Sequence, residues 1–77
     1  MELQDFIKKF ANQFVDTPAE KITADTNYKE LDEWSSVLAL CVIAMVDEEC
    51  QVLLKGDYIR SASTVEELYQ KVKALSV

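Results

Sequence analysis

Ser35 and Ser36 are the side chains whose position marks them for chemistry. They end a polar stretch and open a ten-residue apolar run, Val37 to Val46. A serine in that place has two uses. It can cap the helix that follows, its oxygen accepting from a free N–H of the first turn. Or its hydroxyl can accept a transferred group, and a phosphate placed there meets the positive end of a helix dipole. Taken by itself, the spacing favours the cap.

The other chemistry open to the chain is narrow. It has no histidine, which removes Ser-His-Asp and Cys-His catalytic arrangements. Two cysteines without histidine are too few ligands for a structural zinc site. A single glycine excludes the dinucleotide fingerprint and the P-loop, both of which need several. Proton transfer at neutral pH would fall to a perturbed carboxylate, lysine or cysteine. Every acid lies in a polar stretch, away from the apolar surroundings that would raise its pKa. The expectation is a protein that is not itself an enzyme.

Charge points toward partners. Eight basic and 14 acidic residues leave a net charge of −6, which repels a phosphate backbone and argues against nucleic acid. From Glu30 to Leu54 there are six acids, Glu30, Asp32, Glu33, Asp47, Glu48 and Glu49, and no base. A basic protein surface would be steered toward that stretch; a face kept acidic for solubility would look the same.

These residues must be positioned by helices. One proline and one glycine are too few for the turns of an all-β chain. Leu3, Phe6, Ile7, Phe10 and Phe14 form one apolar stripe, which predicts an amphipathic helix over roughly residues 2–15. Ser36 to about Cys50 predicts a second, apolar on every face and therefore central in a bundle, with Asp47, Glu48 and Glu49 in solvent at its far end. If Cys41 and Cys50 share that helix they stand on opposite faces, about 13–14 Å apart along its axis. They then neither bridge nor share a metal, and packing is their expected role. Gly56 to Ser61 has room for one or two helical turns. Thr64-Val65-Glu66-Glu67 predicts a capping box that opens the last helix. Thr17-Pro18-Ala19-Glu20 predicts another, opening a single turn. Between Asp16 and Ser35 runs a long loop with Ile22, Tyr28, Leu31 and Trp34 as spaced anchors. A long pinned loop that ends at a buried helix is a place to look for function.

The length suits one domain, 1–77. The acidic start lacks the basic n-region of a signal peptide, and ten apolar residues fall short of the ~20 needed to span a bilayer. A soluble, cytoplasmic protein without a membrane span is expected, its cysteines being reduced thiols.

Leu31-Asp32-Glu33-Trp34-Ser35-Ser36-Val37 resembles the attachment-site motif of acyl carrier proteins, with Ser36 on the modified serine. The likeness runs along nearly the whole chain in order. Ile22-Thr23-Ala24-Asp25-Thr26 resembles the loop before that motif. Asp47-Glu48-Glu49-Cys50 is similar to the acidic end of the family's second helix, and Ser63-Thr64-Val65-Glu66-Glu67-Leu68 to the opening of its last one. The resemblance implies an all-α fold: a four-helix carrier bundle with a long loop between helices 1 and 2 and a short third helix. It implies a 4′-phosphopantetheine arm on Ser36, with Ser35 the less favoured site. The arm would be attached by a phosphopantetheinyl transferase and would carry an acyl or aminoacyl thioester, as in fatty acid or polyketide biosynthesis. It implies docking by Asp32, Glu33, Val37, Asp47, Glu48 and Glu49 to ligases or synthases with basic surfaces. It implies an acyl pocket drawn from Val42, Ile43, Val46, Ile59 and Leu68, although each of these is also an ordinary core residue. A monomer is expected.

The chain departs from the family pattern at three places. Ser35 stands where aspartate is usual and Val37 where leucine is usual. Leu38, Ala39 and Cys41 stand where polar residues are common, so Leu38 or Cys41, if exposed, would give an apolar contact to one fixed partner. A specialised carrier fits these changes better than the housekeeping one. The alternative is a carrier-like helical interaction module that is never modified.

Overall fold

The computed structural model describes residues 2–76; Met1 and Val77, the ends of the expected 1–77 domain, lie outside the described residues. Four α-helices form: α1 (Leu3–Ala11), α2 (Ser36–Cys50), α3 (Gly56–Ser61) and α4 (Val65–Leu75). Short 3-10 turns at Ala19–Lys21 and Tyr28–Glu30 punctuate the long loop between α1 and α2. No strand forms among the described residues, and the fold class is all-α. Nor is any described helix long and apolar enough to cross a membrane.

The first helix is shorter than its stripe suggests. It ends at Ala11, yet Phe14 is still buried. Tight i→i−3 bonds from the N–H groups of Gln13 and Phe14 to the Phe10 and Ala11 carbonyls continue the winding for one more turn. That turn carries Phe14 onto the face already occupied by Phe6 and Phe10. Phe10 is the centre of an aromatic cluster, its ring centroid 5.5 Å from Phe14, 5.6 Å from Tyr28 and 6.2 Å from Trp34. The cluster ties α1 to two anchors of the loop.

The α2 helix is not buried all round, as its composition suggests. Its buried residues are Leu38, Val42, Met45 and Val46, spaced i, i+4, i+7 and i+8 on one stripe. Val37 and Leu40 are 67% and 65% exposed. Helices α1 and α3 pack against α2, and its outer face is left to solvent. Leu38 is therefore core rather than an exposed contact, and Cys41 is half-buried; Val37 and Leu40 are the apolar side chains that reach outward.

The last helix opens as its sequence predicts. Thr64 Oγ1 accepts from the Glu67 N–H at 3.2 Å, and Glu67 Oε1 accepts from the Thr64 and Ser63 N–H groups at 2.9 Å each. The next two N–H groups, of Val65 and Glu66, donate to the Thr26 and Ala24 carbonyls of the loop. Donors that a helix start leaves open thus become the clamp that holds the loop across the bundle.

The second expected capping box, at Thr17, does not form. The 3-10 turn there has no side-chain cap. The Thr17 hydroxyl instead donates to Glu33, 2.9 Å away. A carboxylate 16 residues distant competes successfully for it.

Candidate functional site

The site sits where the loop meets α2. Trp34 is half-buried, its ring 4.8 Å from that of Tyr28 and stacked on Phe10 and Phe14. One residue before it, the Glu33 carboxylate closes the far side of the loop. Its Oε2 accepts from the Val15 N–H at 2.7 Å, and its Oε1 from the N–H groups of Asp16 and Thr17 at 3.0 and 2.9 Å. These bonds, that from Val15 first, hold Glu33 below the usual carboxylate pKa. The two residues before Ser35 are thus fixed from both sides.

Ser35 is the N-cap of α2. Its backbone is extended, and its Oγ accepts from the Leu38 N–H at 3.4 Å. Ser36 is the first residue of the helix, is exposed, and has no capping duty. The helix uses the Ser35 oxygen, and the Ser36 hydroxyl stands at the helix start, open to solvent.

A cleft of about 280 Å³ lies beside Ser36. It is lined by Lys29, Trp34, Ser35, Ser36, Ala39, Gly56, Ile59 and Arg60. The backbone of one lining residue is tied to the loop: the Tyr28 hydroxyl donates to the Ile59 carbonyl at 2.5 Å, with the Ala62 carbonyl at 3.2 Å. Burial raises the Tyr28 phenol to about 12, helped by the negative charge of Glu67. Larger clefts exist elsewhere. One of about 440 Å³ lies at the far end of α2, lined by Phe6, Glu49, Cys50, Tyr69, Val72, Lys73 and Ser76. It lacks the serine pair.

The acids divide into two groups. Glu33 is committed to the loop, and Glu49 forms an ion pair with Lys9 at 2.9 Å, which raises the lysine's pKa. Asp32, Asp47 and Glu48 are exposed. On α2, Val37, Leu40, Ala44, Asp47 and Glu48 recur at helical spacing along one outward face, apolar near Ser36 and acidic about 16 Å farther on. The five residues expected to shelter an acyl chain are dispersed. Val42, Val46 and Leu68 are completely buried in the core, Ile43 is half-buried, and Ile59 alone of the five reaches the Ser36 cleft.

Sequence reasoning missed Lys29 and Arg60. Each is an isolated cation in its own segment, and only the docking of the loop on α3 brings them to one cleft. Compared with protein-family models, with curated proteins and with solved structures, the chain matches none.

Proposed function

We propose that this chain is a carrier protein, modified on Ser36 by a 4′-phosphopantetheine arm and passed between partner enzymes. The observation that carries the reading is the division of labour at the serine pair. The cap is supplied by Ser35, so Ser36 is free to be modified without loss of the helix end. Its hydroxyl is exposed at the start of a 15-residue helix, whose dipole favours a phosphodiester there. The arrangement therefore suits the group that the sequence resemblance implies.

In this scheme the chain supplies an acceptor and a docking face, and catalysis belongs to other proteins. A transferase would form the bond between Ser36 Oγ and the pantetheine-side phosphorus of coenzyme A as its pyrophosphate bond breaks, with adenosine 3′,5′-bisphosphate leaving and the hydroxyl proton passing to a base on the transferase. The arm supplies a terminal thiol that carries an acyl or aminoacyl group. Val37 and Leu40 give an apolar anchor beside the acceptor, and Asp47 and Glu48, with Asp32, give charges for a basic enzyme surface. Docking would be transient and would weaken as salt screens those charges.

A second reading is supported by the same outward face. An unmodified interaction module would use Val37 and Leu40 as a permanent contact, and exposed apolar neighbours of this kind mark protein interfaces.

The test is intact mass after incubation with coenzyme A, magnesium and a broad-specificity phosphopantetheinyl transferase. One arm is expected on the wild-type chain and on Ser35→Ala, and none on Ser36→Ala. Absence of the arm with that enzyme and with a transferase from the same source would favour the interaction module.

A further inference from the structure

The chain is acidic, yet two of its eight cations meet at the cleft beside Ser36. Lys29 comes from the pinned loop and Arg60 from α3, and the Lys29 ammonium donates to the Arg60 carbonyl at 2.8 Å. The Arg60 guanidinium pairs with Asp57 and lies across Gly56, where even a Cβ would stand 3.3 Å from one of its nitrogens. Beneath this rim the floor is apolar, formed by Trp34, Ala39 and Ile59. A cationic rim over an apolar floor suits an amphipathic anion: a phosphodiester followed by a branched alkyl chain.

We propose that Lys29 and Arg60 hold the phosphodiester of an arm on Ser36, and that the first, branched part of the arm lies on Trp34 and Ile59. This rests on the carrier reading above and deepens it. Both cations are exposed, so each acts as a screened charge and the hold is salt-dependent. Their role is to position the arm; neither reacts. Held in this way, the arm rests against its own protein between partners.

Trp34 is the only tryptophan and lines the cleft, so its fluorescence reports occupancy. The experiment measures acrylamide quenching of Trp34 in the apo chain and in the arm-bearing chain, with intact mass establishing that the arm is present. The same is done with Lys29→Gln/Arg60→Gln, which keeps the stems and removes the charge, and with Lys29→Arg/Arg60→Lys, which keeps the charge. Circular dichroism confirms that each variant is folded. Expected is a smaller quenching constant with the arm attached, lost in the arm-bearing fraction of the glutamine variant, restored in the charge-keeping variant, and diminished by added salt. Equal quenching of apo and arm-bearing wild type would overturn this inference and leave the carrier reading intact. Protection that survives in the glutamine variant would overturn the role of the two cations. Failure of the arm to attach would overturn the carrier reading and this one with it.

Discussion

The Tyr28 hydroxyl donates to the Ile59 carbonyl at 2.5 Å, inside the core. This bond helps join the middle of the long loop to α3, and the neighbours of its two ends, Lys29 and Arg60, are bonded to each other and line the cleft with the serine pair. The loop is therefore tied at the wall of the Ser36 cleft. Tyr28→Phe keeps the ring and leaves two buried carbonyls without their donor. A loss of about 1–3 kcal/mol is expected, the usual cost of an unsatisfied buried acceptor. Urea unfolding of the two proteins checks it. The same phenol sets an alkaline limit. Its pKa is raised to about 12 in the folded chain from an ordinary value of 10.0, so the folded state holds its proton more tightly. That stability is complete below pH 10 and is lost as pH rises toward 12, and Tyr28→Phe should remove this part of the alkaline slope.

Glu33 should set part of the acid limit. Its folded pKa is depressed below the ordinary carboxylate value by the loop N–H groups, and Glu67 is depressed in the same way by the Thr64 and Ser63 N–H groups. Between the folded and unfolded pKa values the unfolded chain binds more protons, so stability rises with pH across that window. The contribution is present above the unfolded value and is lost as pH falls through the depressed ones. Thermal melts from neutral to acid should show the decline. Glu33→Gln should flatten it and lower the melting temperature at neutral pH.

The serine pair makes opposite demands on stability. Ser35→Ala removes the α2 cap and should cost about 0.5–1 kcal/mol, the low end for caps, because the bond is long at 3.4 Å. Ser36→Ala should change stability little, since its side chain caps nothing. Ser35→Asp puts the carrier family's usual residue at the cap. It should preserve or raise stability through the dipole, and should raise the rate of arm transfer measured by mass. A rate lower than wild type would show that Ser35 is suited to its own transferase.

Gln51 ends α2 in the left-handed region, with φ 56° and ψ 40°. A side chain there costs about 1–2 kcal/mol that glycine avoids, partly offset by the greater freedom of glycine in the unfolded chain. Gln51→Gly is expected to stabilise the protein by about 0.5–1 kcal/mol. Denaturant midpoints decide it, and a destabilised variant would mean that the Gln51 side chain contributes more than its strain.

Helices with local signals were legible in the residues. The Thr64 capping box, the Ser36 to Cys50 span and the turns at Gly56 to Ser61 all form where the sequence places them. The anchors Ile22, Tyr28, Leu31 and Trp34 also reach the core, two buried and two half-buried. What was not legible depends on pairs distant in sequence. Thr17 and Pro18 carry every local mark of a cap, but Glu33 competes for the threonine hydroxyl. The run from Val37 to Val46 is apolar on all sides, so no periodicity could tell Leu38, which is buried, from Leu40, which is not. Lys29 and Arg60 carry no motif. Only tertiary bonds between the loop and the α3–α4 region, among them Tyr28 to Ile59 and Lys29 to Arg60, bring them to the Ser36 cleft. The serine pair was legible from its place at a helix start, but which of the two serves as the cap was not; Ser35 caps α2, and Ser36 is exposed and caps nothing.

The most direct test of the account is the location of the arm in the protein purified from its own cells. The stretch from Glu30 to Leu54 holds no lysine or arginine, so trypsin releases Glu30–Lys55 as one peptide containing both serines. Fragmentation of that peptide should place a phosphopantetheinyl group on Ser36 and leave Ser35 bare. The group on Ser35, or a peptide found only unmodified, would contradict the account.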